Sequence, residues 1–372
     1  VDDKTIKASQ NAKESLKFFT RKYEKAFFQD MKDLNNEKPT ILRATENINN
    51  MVRMIQILMK KGYAYKAKDG IYFSVNKFKG YGKLAGLKKV KRIKQRITSD
   101  EYDKENIQDF ALWKFHTEKD GNNYWNTSLG KGRPGWHIEC SVMSTKILGN
   151  TFDIHTGGND LIFPHHTNEI AQSEAATGKP FVRYWIHSGF LTMKKGKMSK
   201  SLGNILTLNE VKKLGFKALD FRYLCLTTHY RKPLEFSKEN LEAARNSYQR
   251  LKNIIAEIKN DNKTNKKYLE LFKKSLENDI NIPKGLQILW RLVRDEKAEG
   301  KINTIKEMDK VLSLDLLKKE KIPIPSEIKG LLKKRDIARK KKDWKLADDL
   351  RNKIKSLGYS LEDTSKGSKI KK

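Results

Sequence analysis

Between Trp136 and His187 the sequence switches repeatedly between helical and strand periods, and this constrains the fold more tightly than any other feature. Ile138 to Leu148 reads as a helix closed by Gly149-Asn150. Phe152-Asp153-Ile154-His155 reads as a short strand. Asp160 to Ala176 reads as a second helix, stopped by Gly178-Lys179-Pro180, and Val182 to His187 as a second strand. Parallel strands need a long crossover, usually a helix, so this alternation predicts an α/β layer with a parallel sheet flanked by helices.

The flanks read differently. Ile6, Leu16, Phe19, Tyr23, Phe27 and Met31 fall at helical spacing and predict one helix over residues 1–34. A second helix is expected from Thr45 to Gly62, then short strands at Ala64-Tyr65 and Ile71 to Val75 around the turn Lys68-Asp69-Gly70. Gly80 to Glu105 is basic and poor in apolar residues, as an exposed connector would be. Phe110 to Phe115 reads as a strand; Gly121-Asn122-Asn123 and Gly130 to Gly135 read as loops. After Asn204 the pattern turns helical, with Leu241, Ala244, Tyr248, Leu251 and Ile255 as one apolar stripe. Asn260 to Lys267 reads as a polar linker, Ile322 to Ser326 as a stiff break, Ser326 to Leu357 as a helical hairpin, and the last residues as a frayed tail.

No run of 18 apolar residues occurs and no secretory signal pattern opens the chain, so neither a spanning helix nor export is expected. Two cysteines, Cys140 and Cys225, do not make a disulfide scaffold; a reducing cytoplasm is the natural setting, with Cys225 as a buried small hydrophobe. A formal net charge of +33 suits a polyanionic partner such as nucleic acid. Lysine-rich genome composition gives the same charge with no partner at all.

Chemistry concentrates between Gly132 and Asn204, which holds five of the seven histidines. His165 and Glu169 are four apart and share one helix face, and Cys140 stands 25 residues earlier. Thiolate, imidazole and carboxylate form a plausible zinc set; a solvated His–Glu pair beside a core cysteine is the plainer alternative. Gly157-Gly158 and Asp160 follow a strand, where open parallel sheets bind ligands and glycine lets a planar ring or phosphate approach; a tight turn with Asp160 as helix cap explains them equally. Lys194, Lys195, Lys197 and Lys200, with Ser199 and Ser201, could grip a triphosphate, or could be one more solvated lysine-rich loop.

Lys197-Met198-Ser199-Lys200-Ser201 matches the signature loop of class I aminoacyl-tRNA synthetases. The stretch Gly132-Arg133-Pro134-Gly135-Trp136-His137-Ile138-Glu139-Cys140-Ser141, with Phe163-Pro164-His165-His166-Thr167-Asn168-Glu169, resembles cysteinyl-tRNA synthetases in particular. Val1-Asp2-Asp3-Lys4 is similar to the segment after the first Rossmann strands, and Asp343-Trp344 with Ala347-Asp348-Asp349 and Leu361-Glu362-Asp363 to the family's anticodon-binding domain. The resemblance implies a Rossmann-type parallel-sheet catalytic domain, its N-terminal half incomplete here, followed by all-α helical domains. It implies five regions: 1–45, the remainder of the first Rossmann half; 46–120, a connective insertion; 121–205, the second half with zinc site and lysine loop; 206–320, a stem-contact region and helical bundle; and 321–372, a small basic anticodon-binding domain.

The same resemblance implies ATP-dependent activation of L-cysteine and transfer to tRNA(Cys), by a cytoplasmic monomer holding one Zn2+ per chain and using ATP with Mg2+. Cys140, His165 and Glu169 are the implied zinc ligands and Trp136 a wall of the cysteine pocket. Lys200 and Lys197 are the implied catalytic residues on the phosphates, with Ser199 and Ser201 shaping their loop and Gly157, Gly158 and Asp160 near the nucleoside. Arg339, Trp344, Asp348 and Arg351 are the implied tRNA contacts. The family's HIGH motif and an additional zinc cysteine precede the residues matched by Val1, so the 372 residues alone are expected to be inactive or nearly so. Two rivals share parts of the pattern: a ligase joining cysteine to an amino sugar, and a non-catalytic RNA- or zinc-binding fragment.

Overall fold

A computed structural model of the chain describes residues 3–87, 96–97, 108–193, 196–197, 206–318, 325–364 and 367–371. They form two compact units, Val1–Leu316 and Leu317–Lys372.

The larger unit opens with α1 (Asp3–Asn11) and α2 (Leu16–Asp33), where the apolar spacing alone predicts a single helix. The break falls at residues 12–15: Lys13 takes a positive φ of 53°, and the Ser15 hydroxyl accepts from the Phe18 amide to start α2. α3 (Ile48–Lys60) is amphipathic and buries Met51, Val52, Ile55 and Leu58.

Beyond it lie β1 (Ala64–Lys66), β2 (Gly70–Phe73), β3 (Arg96–Ile97), β4 (Asp109–Phe115), β5 (Trp125–Thr127) and β6 (Gly130–Pro134). They pair in the order β1-β2-β4-β6-β5, all antiparallel, with β3 parallel to β4. Residues 130–134, expected as loop, are therefore a strand. Glycine is required there: a Cβ on Gly132 would come within 2.6 Å of Trp113 Nε1, and one on Gly135 would run into the Ala111 carbonyl. At these two positions the backbone passes so close to Trp113 and to the β4 carbonyls that no Cβ fits.

Helix α4 (Trp136–Leu148), strand β7 (Phe152–Gly158), helix α5 (Thr167–Thr177) and strand β8 (Val182–Ser188) form the predicted crossover unit. β7 and β8 pair in parallel from Phe152↔Val182 to Gly158↔Ser188. α5 starts later than its periodicity suggests. Phe163 before Pro164 is extended (φ −139°, ψ 131°), because proline disfavours helical backbone in the residue preceding it. Asp160 therefore lies in a separate short turn, Asn159–Leu161, and does not cap α5.

Next come β9 (Leu191–Met193) and β10 (Gly196–Lys197), an antiparallel pair, then α6 (Leu208–Lys213), α7 (Ala218–Leu226) and β11 (Leu234–Phe236), which runs parallel to β9. The bundle α8 (Lys238–Glu257), α9 (Lys266–Glu277), α10 (Ile282–Arg294) and α11 (Lys301–Leu312) buries Leu241, Tyr248, Leu251, Leu289, Leu292, Ile305 and Met308. Ser237, Asn265 and Asn281 cap three of these helices by accepting from amides in the first turn. Cys225, expected in the core, is exposed. Among the described residues no helix is long and apolar enough to cross a membrane.

The smaller unit holds the predicted helical hairpin, α12 (Ser326–Lys340) and α13 (Trp344–Ser356). It adds strands β12 (Ser360–Thr364) and β13 (Gly367–Lys371), paired antiparallel, where a frayed tail and an all-helical domain are expected from sequence. Arg335 explains the difference. Only 3% exposed, it donates to both carboxylate oxygens of Asp363 (2.8 and 2.9 Å) and to Ser368 Oγ (2.6 Å), tying the hairpin to α12.

Candidate active site and metal centre

α4 and α5 lie side by side and present their first turns to a common point. Gly135 leads into α4, which carries Trp136, His137 and Cys140 in its first five residues. The turn 162–166 leads into α5 and supplies His165 and His166, and Glu169 follows in the first turn of α5. One donor atom each from Cys140, His165 and Glu169 lie within 4.8 Å of one another. His165 Nε2 is 3.0 Å from Glu169 Oε1, and the Trp136 ring lies against His165 with centroids 4.2 Å apart.

Four further histidines that the sequence reading leaves unused gather here, two against the same carboxylate and two against its neighbours. His155 Nε2 and His166 Nε2 stand 3.6 and 4.0 Å from Glu169 Oε1, so His155, His166 and Glu169 form a second cluster of donors. His187 Nε2 is 2.8 Å from His166 Nδ1. His137 Nδ1 is 2.9 Å from His165 Nδ1. The signal was present as the histidine density of residues 132–204; what the sequence lacks is the pairing of β7 with β8 that brings His155 and His187 to α5.

Burial sets the protonation of the group. It pushes His166 down to about 3, and it lowers His137 and His187, so these rings are neutral at pH 7. Burial alone would raise Glu169, but His155 and His165 outweigh it and hold the carboxyl at about 2. Burial, with Glu169 and Glu139 nearby, pushes the Cys140 thiol far above its ordinary value. Glu169 is fully buried and ionised, yet among the described residues neither of its oxygens receives a hydrogen bond of good geometry. A buried carboxylate in that state calls for a cation. Soft sulfur, imidazole nitrogen and carboxylate oxygen are the donor types zinc takes, so the residues fit that ion.

Glycine at the end of β7 permits a close approach. A Cβ on Gly157 would lie 2.6 Å from His166 Cε1, so the ring it admits closely is the protein's own. Gly158 and the exposed Asp160 adjoin it. Lys197 sits on β10 opposite Thr192; Ser199, Lys200 and Ser201 lie outside the described residues. In the smaller unit, Trp344, Asp348 and Arg351 are exposed and share one face of α13 at helical spacing, while Arg339 pairs with Asp363.

The profile described as the catalytic domain of class I (C) tRNA synthetases matches residues 1–246. The chain belongs to the cysteinyl-tRNA synthetase family. A cysteinyl-tRNA ligase anticodon binding domain profile matches residues 323–369, most of the smaller unit. The cysteine–tRNA ligase of Chlamydia felis is 42% identical over 398 residues, taking in all of this chain and 84% of that protein. That of Brachyspira hyodysenteriae is 40% identical over 402 residues, with all of this chain and 85% of the relative aligned. A crystal structure of Mycobacterium tuberculosis methionyl-tRNA synthetase bound by methionyl-adenylate superposes with a TM-score of 0.56 at 13% identity, over 86% of this chain and 76% of that one; this likeness speaks for the class I fold alone. As a cysteinyl-tRNA synthetase family member, the chain carries its cluster of sulfur, nitrogen and oxygen donors inside the part matched by the catalytic profile.

Proposed function

We propose that this protein activates L-cysteine with ATP and transfers it to the 3′ end of tRNA(Cys), using Cys140, His165 and Glu169 to hold Zn2+. One observation carries the reading: donors from two neighbouring helices, in a chain of this family, lie within 4.8 Å of one another around an ionised, buried carboxylate. When bound, zinc supplies a soft Lewis acid that prefers a thiolate to a hydroxyl, which separates cysteine from serine by bonding rather than by shape.

The chain's own residues do the rest. Trp136, packed on His165, closes one side of the pocket and excludes water. Gly157, Gly158 and Asp160, at the carboxyl end of β7, take the nucleoside of ATP. Lys197 and Lys200 neutralise the ATP phosphates, with Mg2+, while the cysteine carboxylate attacks the α-phosphate; Ser199 and Ser201 shape their loop. Pyrophosphate leaves, and the tRNA ribose hydroxyl then attacks the activated carbonyl, releasing AMP. Arg339, Trp344, Asp348 and Arg351 contact unstacked anticodon bases by stacking and edge hydrogen bonds. The working form we propose is a cytoplasmic monomer, in keeping with two unpaired cysteines.

Ligation of cysteine to an amino sugar would leave residues 323–369, which match an anticodon-binding profile, without a task. The test is metal analysis together with cysteine-dependent ATP–pyrophosphate exchange and tRNA charging. One zinc per chain is expected, and whatever exchange these residues support should need cysteine and not serine. Metal-free protein, or exchange supported equally by serine, would overturn the reading.

A further inference from the structure

Helix α5 is held at both ends by one contiguous stretch, residues 48–87, outside the site itself. At its carboxyl end Lys61, just past α3, donates to the carbonyl oxygens of Ala176 (2.7 Å) and Ala175 (3.4 Å). At its amino end the Tyr81 hydroxyl donates to Asn168 Oδ1 at 2.6 Å. Tyr81 is 7% exposed and Asn168 fully buried. Between these two points Met51, Ile55 and Leu58 of α3 share one core with Ile138 and Val142 of α4 and Ala171 and Ala175 of α5. Lys146 of α4 donates to Asn47 Oδ1, at the start of α3, over 2.7 Å. The two helices that carry the metal donors thus rest on a single brace.

The amino end is where orientation matters. Among the described residues no side chain caps α5, so its first turn is not fixed by the local device that usually fixes one. Asn168 is the neighbour of Glu169 and lies in that turn. A helix with side chains has a radius of about 5–6 Å, so a rotation of about 10° moves a carboxylate by about 1 Å. Metal–ligand bonds tolerate about 0.2 Å. A well-directed hydrogen bond to this turn from outside the helix, beside those of Thr167 Oγ1 to the Ile162 carbonyl (2.7 Å) and Ser141 Oγ to the Glu169 carbonyl (3.4 Å), therefore bears on whether Glu169 and His165 meet Cys140 at bonding distance.

We infer that Tyr81 is a positioning residue: its hydroxyl sets the rotation of the first turn of α5 and with it the metal affinity and cysteine selectivity of the site. The inference rests on the zinc reading above and adds to it a contact from the connective segment. It also gives that segment a role: residues 48–87 brace the metal helices, with Lys61 serving the fold of α5 and Tyr81 serving its aim.

The test compares wild type, Tyr81→Phe and Lys61→Met in the full chain. Tyr81→Phe keeps the ring in the core and removes only the hydroxyl. Zinc affinity is measured by competition with a chromophoric chelator, well below each protein's melting transition, and the cobalt(II)-substituted forms are compared by visible absorption. Tyr81→Phe should bind zinc about tenfold more weakly, the lower end of the range for outer-shell partners of a metal site, and shift the cobalt bands. Its Kd for cysteine should rise while its Kd for ATP stays put. Lys61→Met should lower the melting temperature and leave zinc affinity unchanged. If wild type binds zinc and Tyr81→Phe matches it in affinity and cobalt spectrum, or if Lys61→Met weakens zinc as much, the Tyr81 assignment is overturned. If wild type takes up no zinc, the zinc reading itself falls.

Discussion

His165 Nε2 stands 3.0 Å from Glu169 Oε1, one turn along the chain, with the two side chains 4% and 0% exposed. A carboxylate so deep in the protein is not there for stability, because taking its charge out of water costs on the order of several kcal/mol unless a partner compensates it. The surrounding rings sharpen the point. They are neutral where burial lowers them, so they offer lone pairs rather than positive charge, and the carboxylate stays short of compensation. A divalent ion resolves this, and Cys140 provides the third donor on the facing helix.

Cys140→Ser should therefore lose the metal. Serine is nearly isosteric but a poor zinc ligand, and we expect affinity to fall by at least about 100-fold, beyond the usual outer-shell range. The pH dependence gives an independent check. The buried thiol of Cys140 is held protonated at neutral pH, so metal uptake must expel its proton. Wild-type zinc affinity should rise about tenfold per pH unit below that thiol's titration, through this one proton. The slope should fall by one proton in Cys140→Ser. Calorimetry in buffers of different ionisation enthalpy measures the difference directly.

Gly157→Ala tests how tightly β7 and α5 are fitted. The new methyl would meet His166 Cε1 at 2.6 Å and Nε2 at 2.9 Å, too close for either atom to stay. The His166 ring must turn, breaking its 2.8 Å contact with His187. Overpacking of this kind costs about 1–3 kcal/mol. We expect a folded protein with a lower melting temperature and altered histidine resonances for His155, His166 and His187. An unchanged histidine spectrum would contradict the proposed fit.

Much of this architecture is legible in the residues. The spacing of His165 and Glu169 places them on one face, and the alternation after Trp136 gives the crossover unit. The amphipathic stripe of Leu241 to Ile255 gives α8. Other elements are hidden for identifiable reasons. β6 is nearly all glycine, lysine, arginine and proline, with no apolar alternation, because it must pass close to Trp113. The hairpin β12–β13 depends on Arg335, some 28 residues from Asp363, and long-range pairing leaves no local pattern. His155 and His187 reach the site only through a parallel strand pair. Composition can count them but cannot bring them together.

Asp120→Ala should be among the more damaging single changes away from the metal. Arg133 is 5% and Asp120 6% exposed, and their 2.8 Å contact is reinforced by Thr117, whose amide and hydroxyl each donate to Asp120 at 2.8 Å. Removing the carboxylate takes from Arg133 its buried partner, while Asp3, a carboxylate partner among the described residues, is half exposed. Breaking one side of a buried pair costs about 3–5 kcal/mol. The double change Asp120→Ala with Arg133→Met should recover part of that loss, since the stranded charge goes with it. Urea denaturation of the four proteins closes the cycle; a double variant no more stable than Asp120→Ala would show that the loss lies in the Thr117 cap instead.

Asp279 should make the larger unit sensitive to acid in a narrow window. It joins the end of α9 to the segment before β11: Arg231 Nε and Nη2 donate to it at 2.5 and 3.1 Å and the Tyr230 hydroxyl at 2.5 Å. Arg231 first, then Tyr230, bring its carboxyl down from 3.8 to about 2. A carboxyl whose value is lower in the folded state stabilises above its unfolded value and stops doing so as pH falls through its folded value. The contribution is therefore complete above about pH 4, declines from there to about pH 2, and is gone below. Asp279 and Ile280 also hold left-handed backbone (φ 56° and 52°), which the Arg231 clasp keeps in place. Comparing wild type with Asp279→Asn by urea denaturation from pH 7 to pH 2 isolates this residue, because all other carboxylates titrate in both proteins. The gap in midpoints should be constant down to about pH 4 and close towards pH 2; a gap that persists unchanged at pH 2 would mean that Arg231 binds the loop through its packing and not through this charge.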